Sequence, residues 1–248
     1  VVRRLGDVVF ANLAFFAGVS ILATLATVAS FLFAQSVPAF TGPPIDAASE
    51  GFFSYVLPFV FGTVYASVIG LAIATPLAIG IALYISHFAN RKFAQVLGYA
   101  VDLLAAIPSV VYGLWGILVL APFLSPTFNW LNENLGWIPI FAGQVSATGR
   151  TMLTVGIVLA IMVLPIMAAL IREIFLQTPR LHEEAALALG ATRWEMIKMA
   201  VLPFGRPGII SAAMLGLGRA LGETMAVAMV LSPAAVVSFA VLTSTNSN

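Results

Sequence analysis

Cysteine is absent from the 248 residues, histidine occurs twice, and acidic and basic side chains together make up only 8% of the chain. The first absence excludes disulfides and thiolate metal sites. His87 and His182 lie far apart and neither has a ligand-spaced neighbour, so no metal site is expected. Soluble domains carry charge on about a quarter of their residues, and this chain falls well short of that. With a formal net charge of +1 and its basic residues scattered among short segments, it lacks the electrostatic footprint that nucleic acid requires. No glycine-rich run ends in Gly-Lys-Ser/Thr, so the phosphate-cradling loop of a nucleotide hydrolase is missing. No Ser-His, metal or nucleotide constellation accompanies Glu223 or Asp102, the carboxylates an intramembrane enzyme would use, and neither an enzyme nor a cofactor-binding chain is expected.

What fills the chain is apolar: 61% hydrophobic residues and a mean hydropathy of +1.05. Five stretches, 8–35, 59–86, 93–121, 152–171 and 209–231, reach the roughly 17–25 residues that a spanning helix needs. The first is too long for the apolar core of a signal peptide and lacks a convincing small-residue cleavage site. The expectation is an all-α, polytopic membrane helix bundle forming one transmembrane domain over 1–248. Pro76, Pro108 and Pro165 fall inside three of the runs, where each removes a backbone donor and should bend its helix. A cytoplasmic N-terminus places Arg3, Arg4, Arg91, Lys92, Arg172, Arg180, Arg193, Lys198 and Arg206 inside, leaving Arg150 outside and Arg219 in the membrane. The inner segments are then a short turn at 87–92 and a long loop, 172–208. The outer loops are 36–58, where Asp46 and Glu50 read as solvated charges, and 122–151, whose Trp130 and Trp137 suit the headgroup level.

Arg219 and Glu223 stand one helical turn apart in the otherwise uncharged run 209–231. At about 1.5 Å per residue, Arg219 lies roughly 15 Å in from Ile209, near the middle of a hydrocarbon layer about 30 Å thick. Each charge costs roughly 2.5–3.5 kcal/mol there, against about 0.3–0.6 kcal/mol returned by each Leu, Ile or Val. Such a helix belongs inside a bundle or beside a watery passage, with the two groups as mutual partners. Gly218 and Gly222 add a GxxxG spacing that permits close approach of another helix.

The loop 172–208 reads as two short helices and a break. Thr178 is placed to cap a helix with Pro179 at its first position, and Gly190 suits a left-handed end. Thr192 and Glu195 have capping-box spacing, and Pro203 is expected to stop the second helix. Between these signals Ala185, Ala186, Ala188 and Leu189 form a smooth face, flanked by Glu183 and Glu184, suited to a groove on another protein.

At these residues a resemblance begins. Glu184-Ala185-Ala186, Gly190 and Leu202-Pro203 resemble the cytoplasmic EAA loop of ABC importer permeases, with Ala200 where that family usually has Ile. Gly216-Leu217-Gly218-Arg219-Ala220-Leu221-Gly222-Glu223-Thr224-Met225-Ala226-Val227 resembles the signature of PstC-type permease subunits of phosphate importers. Ala105-Ala106-Ile107-Pro108-Ser109-Val110-Val111-Tyr112-Gly113 is similar to the third span of that subunit. The resemblance covers roughly 93–231. Members of the family have a sixth core span, whereas only the short apolar run 234–242 follows here, so a sixth span is expected to be missing.

The resemblance implies a type I ABC importer permease in the bacterial inner membrane, working with a second, PstA-like permease subunit. It also implies two copies of a cytoplasmic ATPase, which bind ATP and Mg, and an external phosphate-binding protein. In that picture Glu183, Glu184, Ala185, Ala186, Gly190, Leu202 and Pro203 couple the chain to the ATPase. Arg219 is the candidate contact for phosphate, because its fork donates paired hydrogen bonds. Glu223 would hold Arg219 between transport events, and Thr224 would add a hydroxyl. A permease for another oxyanion, such as sulfate or molybdate, shares the EAA segment but gives no reason for the Arg219–Glu223 block.

Overall fold

The structure, a computed structural model, describes residues 5–41, 52–231 and 239–243. Arg3, Arg4, Asp46, Glu50 and the first part of the 234–242 run lie outside the described residues. Helices dominate, as the apolar runs require, and the chain divides into two compact units, Val1–Leu57 and Pro58–Asn248. The first contains α1 (Leu5–Thr41), whose spanning window Val8–Pro38 buries none of its residues. Its Phe40 ring packs on Phe52, at the start of α2, with centroids 4.2 Å apart.

From Pro58 onward α2 (Phe52–Leu83) belongs to the second unit and ends in a π-turn, Tyr84–Phe88. There follow α3 (Arg91–Ala105), α4 (Ser109–Trp115) with a π-turn at Gly116–Leu120, and α5 (Ala121–Leu135). The central helix is α6 (Met152–Leu176), most of which is buried. It leads to α7 (Arg180–Ala188), α8 (Arg193–Met196), a π-turn at Ile197–Val201, α9 (Leu202–Leu221) and α10 (Met225–Val230).

Large residues on α6 fill notches left by small ones on its neighbours. A Cβ added to Gly216 of α9 would lie 2.7 Å from Val163 Cγ1 and 2.8 Å from Met167 Sδ; one at Gly205 would lie 2.6 Å from Phe175 Cε1. On α2, Gly70 approaches the Leu159 Cβ to 3.0 Å by the same measure. Without a hydrophobic drive between helices in lipid, this close backbone approach is what holds the bundle.

Helices long and apolar enough to cross a membrane run over Val8–Pro38, Phe52–Phe88, Ser109–Leu135, Met152–Leu176 and Arg193–Leu221. The third differs from the expected 93–121. Pro108 lacks an amide and pushes Ile107 out of helical geometry, so α3 ends at Ala105 and a new helix starts at Ser109. That helix continues through Leu135, into what the sequence presents as an outer loop. Pro76 and Pro165, by contrast, stay inside α2 and α6. Pro203 does not stop the second loop helix either. The π-turn before it bonds Leu202 N–H to the Ile197 carbonyl, and the helix passes on as α9.

Beyond α5 the chain returns through a short loop stitched to residues 239–243. Val145 and Thr243 form a β-bridge, Ser146 N–H donates to the Leu242 carbonyl at 3.2 Å, and Leu153 N–H donates to Val241 at 3.0 Å. Leu242 is fully buried beside Phe128. Gly149 in this loop has φ +69°, and a Cβ there would strike the Ala121 carbonyl oxygen. Gly149→Ala therefore combines a left-handed penalty of about 1–2 kcal/mol with a backbone collision. It should lower the thermal unfolding temperature of the purified protein, while Gly80→Ala, in open space, should not.

Candidate functional site

The sequence blocks 105–113 and 216–227 lie on separate helices and meet where α4 packs on α10. Each distinctive residue of the first block has a structural task. Pro108 makes the break, and the Leu104 carbonyl, four residues before it, accepts a hydrogen bond from the Tyr112 hydroxyl at 2.8 Å. Gly113 lets the two backbones touch: a Cβ there would lie 2.9 Å from Ala226 Cα and 3.2 Å from Met229 Sδ.

The run 209–231, expected as one helix, is broken. α9 ends at Leu221, Gly222 N–H closes on the Gly218 carbonyl at 3.1 Å, and α10 restarts at Met225. Glu223 Oε1 accepts from the Ala226 N–H at 3.0 Å. At the other end of α10, Arg150 donates from Nη2 to the Met229 carbonyl at 2.8 Å and from Nε to Val230 at 3.2 Å. A six-residue helix is thus held by an acid at its start and a base at its finish, the order that complements its dipole. The expected Arg219–Glu223 ion pair does not form among the described residues, whose ion pairs are His87–Glu183 and Arg172–Asp102. The break removes the continuous helical face on which the two would meet, and the Ala226 amide takes the carboxylate instead.

Arg219 is exposed, with no hydrogen bond among the described residues. Antiparallel packing sets its depth. Gly216 seats against Val163 and Met167, in the middle of α6, and Arg219 lies three residues, roughly 4.5 Å, further on. A guanidinium at that depth belongs on a face covered by protein or wetted by water, not lipid. Gly218 beside it opens to empty space, whereas Gly222 terminates the helix, so the expected GxxxG ridge is reduced to one glycine. The Thr224 side chain is exposed and makes no hydrogen bond among the described residues.

Residues 74–248 match the family described as binding-protein-dependent transport system inner membrane component. The chain belongs to this family. Over 243 residues it is 46% identical to the phosphate transport system permease protein PstC 2 of Mycobacterium tuberculosis, covering 94% of this chain and 75% of that protein. It is 47% identical over 218 residues to PstC of Mycobacterium leprae, covering 84% and 68%. With PstC of Xylella fastidiosa it shares 42% identity over 187 residues, covering 74% and 58%. Among solved structures, the inward facing MetNI methionine ABC transporter has 19% identity and a TM-score of 0.43, covering 67% of this chain and 68% of that one.

In this inner-membrane component the EAA-like segment forms α7 and the turn after it. Gly190, at φ +87°, makes the left-handed end the sequence calls for, and Thr192 and Glu195 form both bonds of a capping box. Thr178 departs from expectation: α7 starts from Pro179, and the Thr178 Oγ1 is buried without a partner among the described residues. Glu184 and Ala185 are exposed, Ala186 is buried, Leu202 is half-buried and Pro203 exposed. A cavity of about 250 Å³ opens beside Ala200, lined also by His182, Ala186, Met199 and Phe204.

One link escapes sequence reading. His87 Nε2 lies 3.4 Å from Glu183 Oε1, and its Nδ1 lies 2.7 Å from Ser86 Oγ. The π-turn that ends α2 is thereby tied to α7. Only the folded bundle places His87 beside Glu183, since the two are 96 positions apart.

Proposed function

We propose that this chain is the permease subunit of an ATP-driven importer that moves inorganic phosphate into the bacterial cytoplasm, with its N-terminus on the cytoplasmic side. A second, PstA-like permease covers the Arg219 face, an ATPase dimer receives α7, and an external phosphate-binding protein delivers the anion. The observation that carries this reading is an exposed guanidinium, level with the middle of α6 and without a counter-ion among the described residues, on a relative of PstC permeases. Arg219 meets the phosphate oxygens by charge-assisted hydrogen bonds. Thr224 adds a hydroxyl beyond it. Glu223, engaged with Ala226, fixes the segment that follows the anion contact, and Arg150 fixes its far end.

Leu181 on α7 and Leu189 just after it are strongly exposed apolar residues, in keeping with a helix that enters a groove on the ATPase. Glu183, through His87, ties movement of α7 to α2. ATP and Mg belong to the ATPase. The test is ATP hydrolysis by the reconstituted complex, with the external binding protein and phosphate, sulfate or molybdate. Stimulation by phosphate alone is the expected result; equal or greater stimulation by sulfate or molybdate contradicts the assignment in favour of another oxyanion.

A further inference from the structure

A second cationic site lies away from Arg219, at the end of the bundle that carries α7. There the π-turn closing α2, one side of α3 and the end of α6 border an open cavity of about 490 Å³ whose lining includes Arg91, Arg172, Ser86, Gln95, Tyr99 and Asp102. Two guanidinium groups face one carboxylate. Arg172 reaches Asp102 only at 4.0 Å, the limit of an ion pair, and Arg91 has no acceptor among the described residues. The seat for Arg172 depends on Gly98, where any Cβ would collide with Arg172 Nη1. The guanidinium therefore lies directly across the backbone of α3 and lines the cavity.

The cavity also adjoins a lipid-like surface. Phe93, Val96, Tyr99 and Leu103, spaced three or four apart on α3, are 56%, 64%, 66% and 71% exposed. Leu97 and Val101 pack into the core, with Gly98 buried between them. An apolar stripe running along α3 beside a paired-arginine cavity, with Tyr99 common to both, matches a molecule with a phosphate head and hydrocarbon tails. A free oxyanion would leave the stripe without a role. Basic pockets between helices at a membrane surface are where acidic headgroups bind, and a planar guanidinium fork suits a phosphodiester.

We infer that this cavity holds the phosphodiester headgroup of an anionic phospholipid, with Arg91 and Arg172 on the phosphate and the exposed face of α3 against the acyl chains. Gln95 and Tyr99 supply uncharged hydrogen-bond donors for the glycerol portion. The inference is independent of the transported cargo, so it stands or falls apart from the proposed function.

The test is native mass spectrometry of the full chain, purified in detergent and offered phosphatidylglycerol, phosphatidylcholine or inorganic phosphate at matched concentration. Retention of phosphatidylglycerol at least tenfold above phosphatidylcholine is expected. Arg91→Gln should weaken that preference and Arg91→Gln with Arg172→Gln should remove it. Arg193→Gln, an exposed arginine elsewhere, should keep it. Because the double variant removes the Asp102 contact, the single Arg91→Gln variant with an unchanged unfolding temperature is the decisive one. Equal retention of the two lipids, or an unchanged preference in Arg91→Gln, overturns the inference. Displacement of phosphatidylglycerol by inorganic phosphate assigns the cavity to a free anion and overturns the lipid.

Discussion

Arg219→Ala is expected to abolish phosphate uptake by vesicles containing the reconstituted complex, while assembly and basal ATP hydrolysis remain measurable. The argument turns on what the substitution leaves behind. Removing half of a buried ion pair strands the other charge, and lost activity then reports misfolding as readily as function. Arg219 has no ionic partner among the described residues, and Glu223 keeps its hydrogen bond to Ala226 whether or not the arginine is present. A hydrogen bond to a charged group contributes about 1.5–3 kcal/mol, so losing a single contact slows transport by roughly one to two orders of magnitude. Loss of the paired fork deepens the effect towards complete loss. Arg219→Lys keeps the charge but not the planar pair of donors and should recover only part of the rate. Uptake at the unsubstituted rate by Arg219→Ala contradicts an anion contact at this position.

Gly113→Val has the second large effect, through packing alone. The first added carbon already lies 2.9 Å from the α carbon of Ala226, on a rigid backbone that cannot swing aside as a side chain would. Overpacking of this kind costs about 1–3 kcal/mol. The strain falls between α4 and α10, the contact that sets Arg150, Glu223 and Arg219 in order. The purified variant should unfold at a lower temperature and its complex should lose uptake. Gly218→Val provides the contrast. Nothing lies within 4 Å of its added carbon, so the isolated chain should keep its unfolding temperature. If the second permease covers that face, however, association with it should fall. A Gly113→Val chain as stable and as active as the parent removes the case for close α4–α10 contact.

Much of this arrangement is legible in the residue pattern, and what is not has identifiable causes. Apolar length alone places the helices near 8–35, 59–86 and 152–171, and the helix that carries Arg219 is continuous to Leu221, though it starts earlier than the expected 209. Counting fails beyond it. Gly222 lies in an apolar run that reads as uninterrupted, and the preference of Glu223 for the Ala226 amide over Arg219 is settled by the turn that Gly222 makes. The stretch 93–121 misleads for a different reason. Its hydrophobicity hides an amphipathic α3, with Phe93, Val96, Tyr99 and Leu103 on one side and Gly98 and Val101 on the other, and Pro108 breaks the chain outright rather than bending it. At Pro203 the opposite happens, because a π-turn absorbs the missing amide, and no residue in the sequence marks such a turn. The His87–Glu183 and Arg172–Asp102 contacts join positions distant in the chain and exist only once the helices have packed.

The absence of native cysteine makes the central claim directly measurable, since a single introduced thiol reports on one position. Thr224→Cys, one residue beyond Glu223 and exposed in the isolated chain, can be treated with a charged, water-soluble thiol reagent in the assembled, reconstituted complex. A water-lined anion path past Arg219 requires the thiol to react, and phosphate delivered by the loaded binding protein to slow the reaction. A thiol that is inert in the complex, or one that reacts at the same rate with and without phosphate, contradicts it.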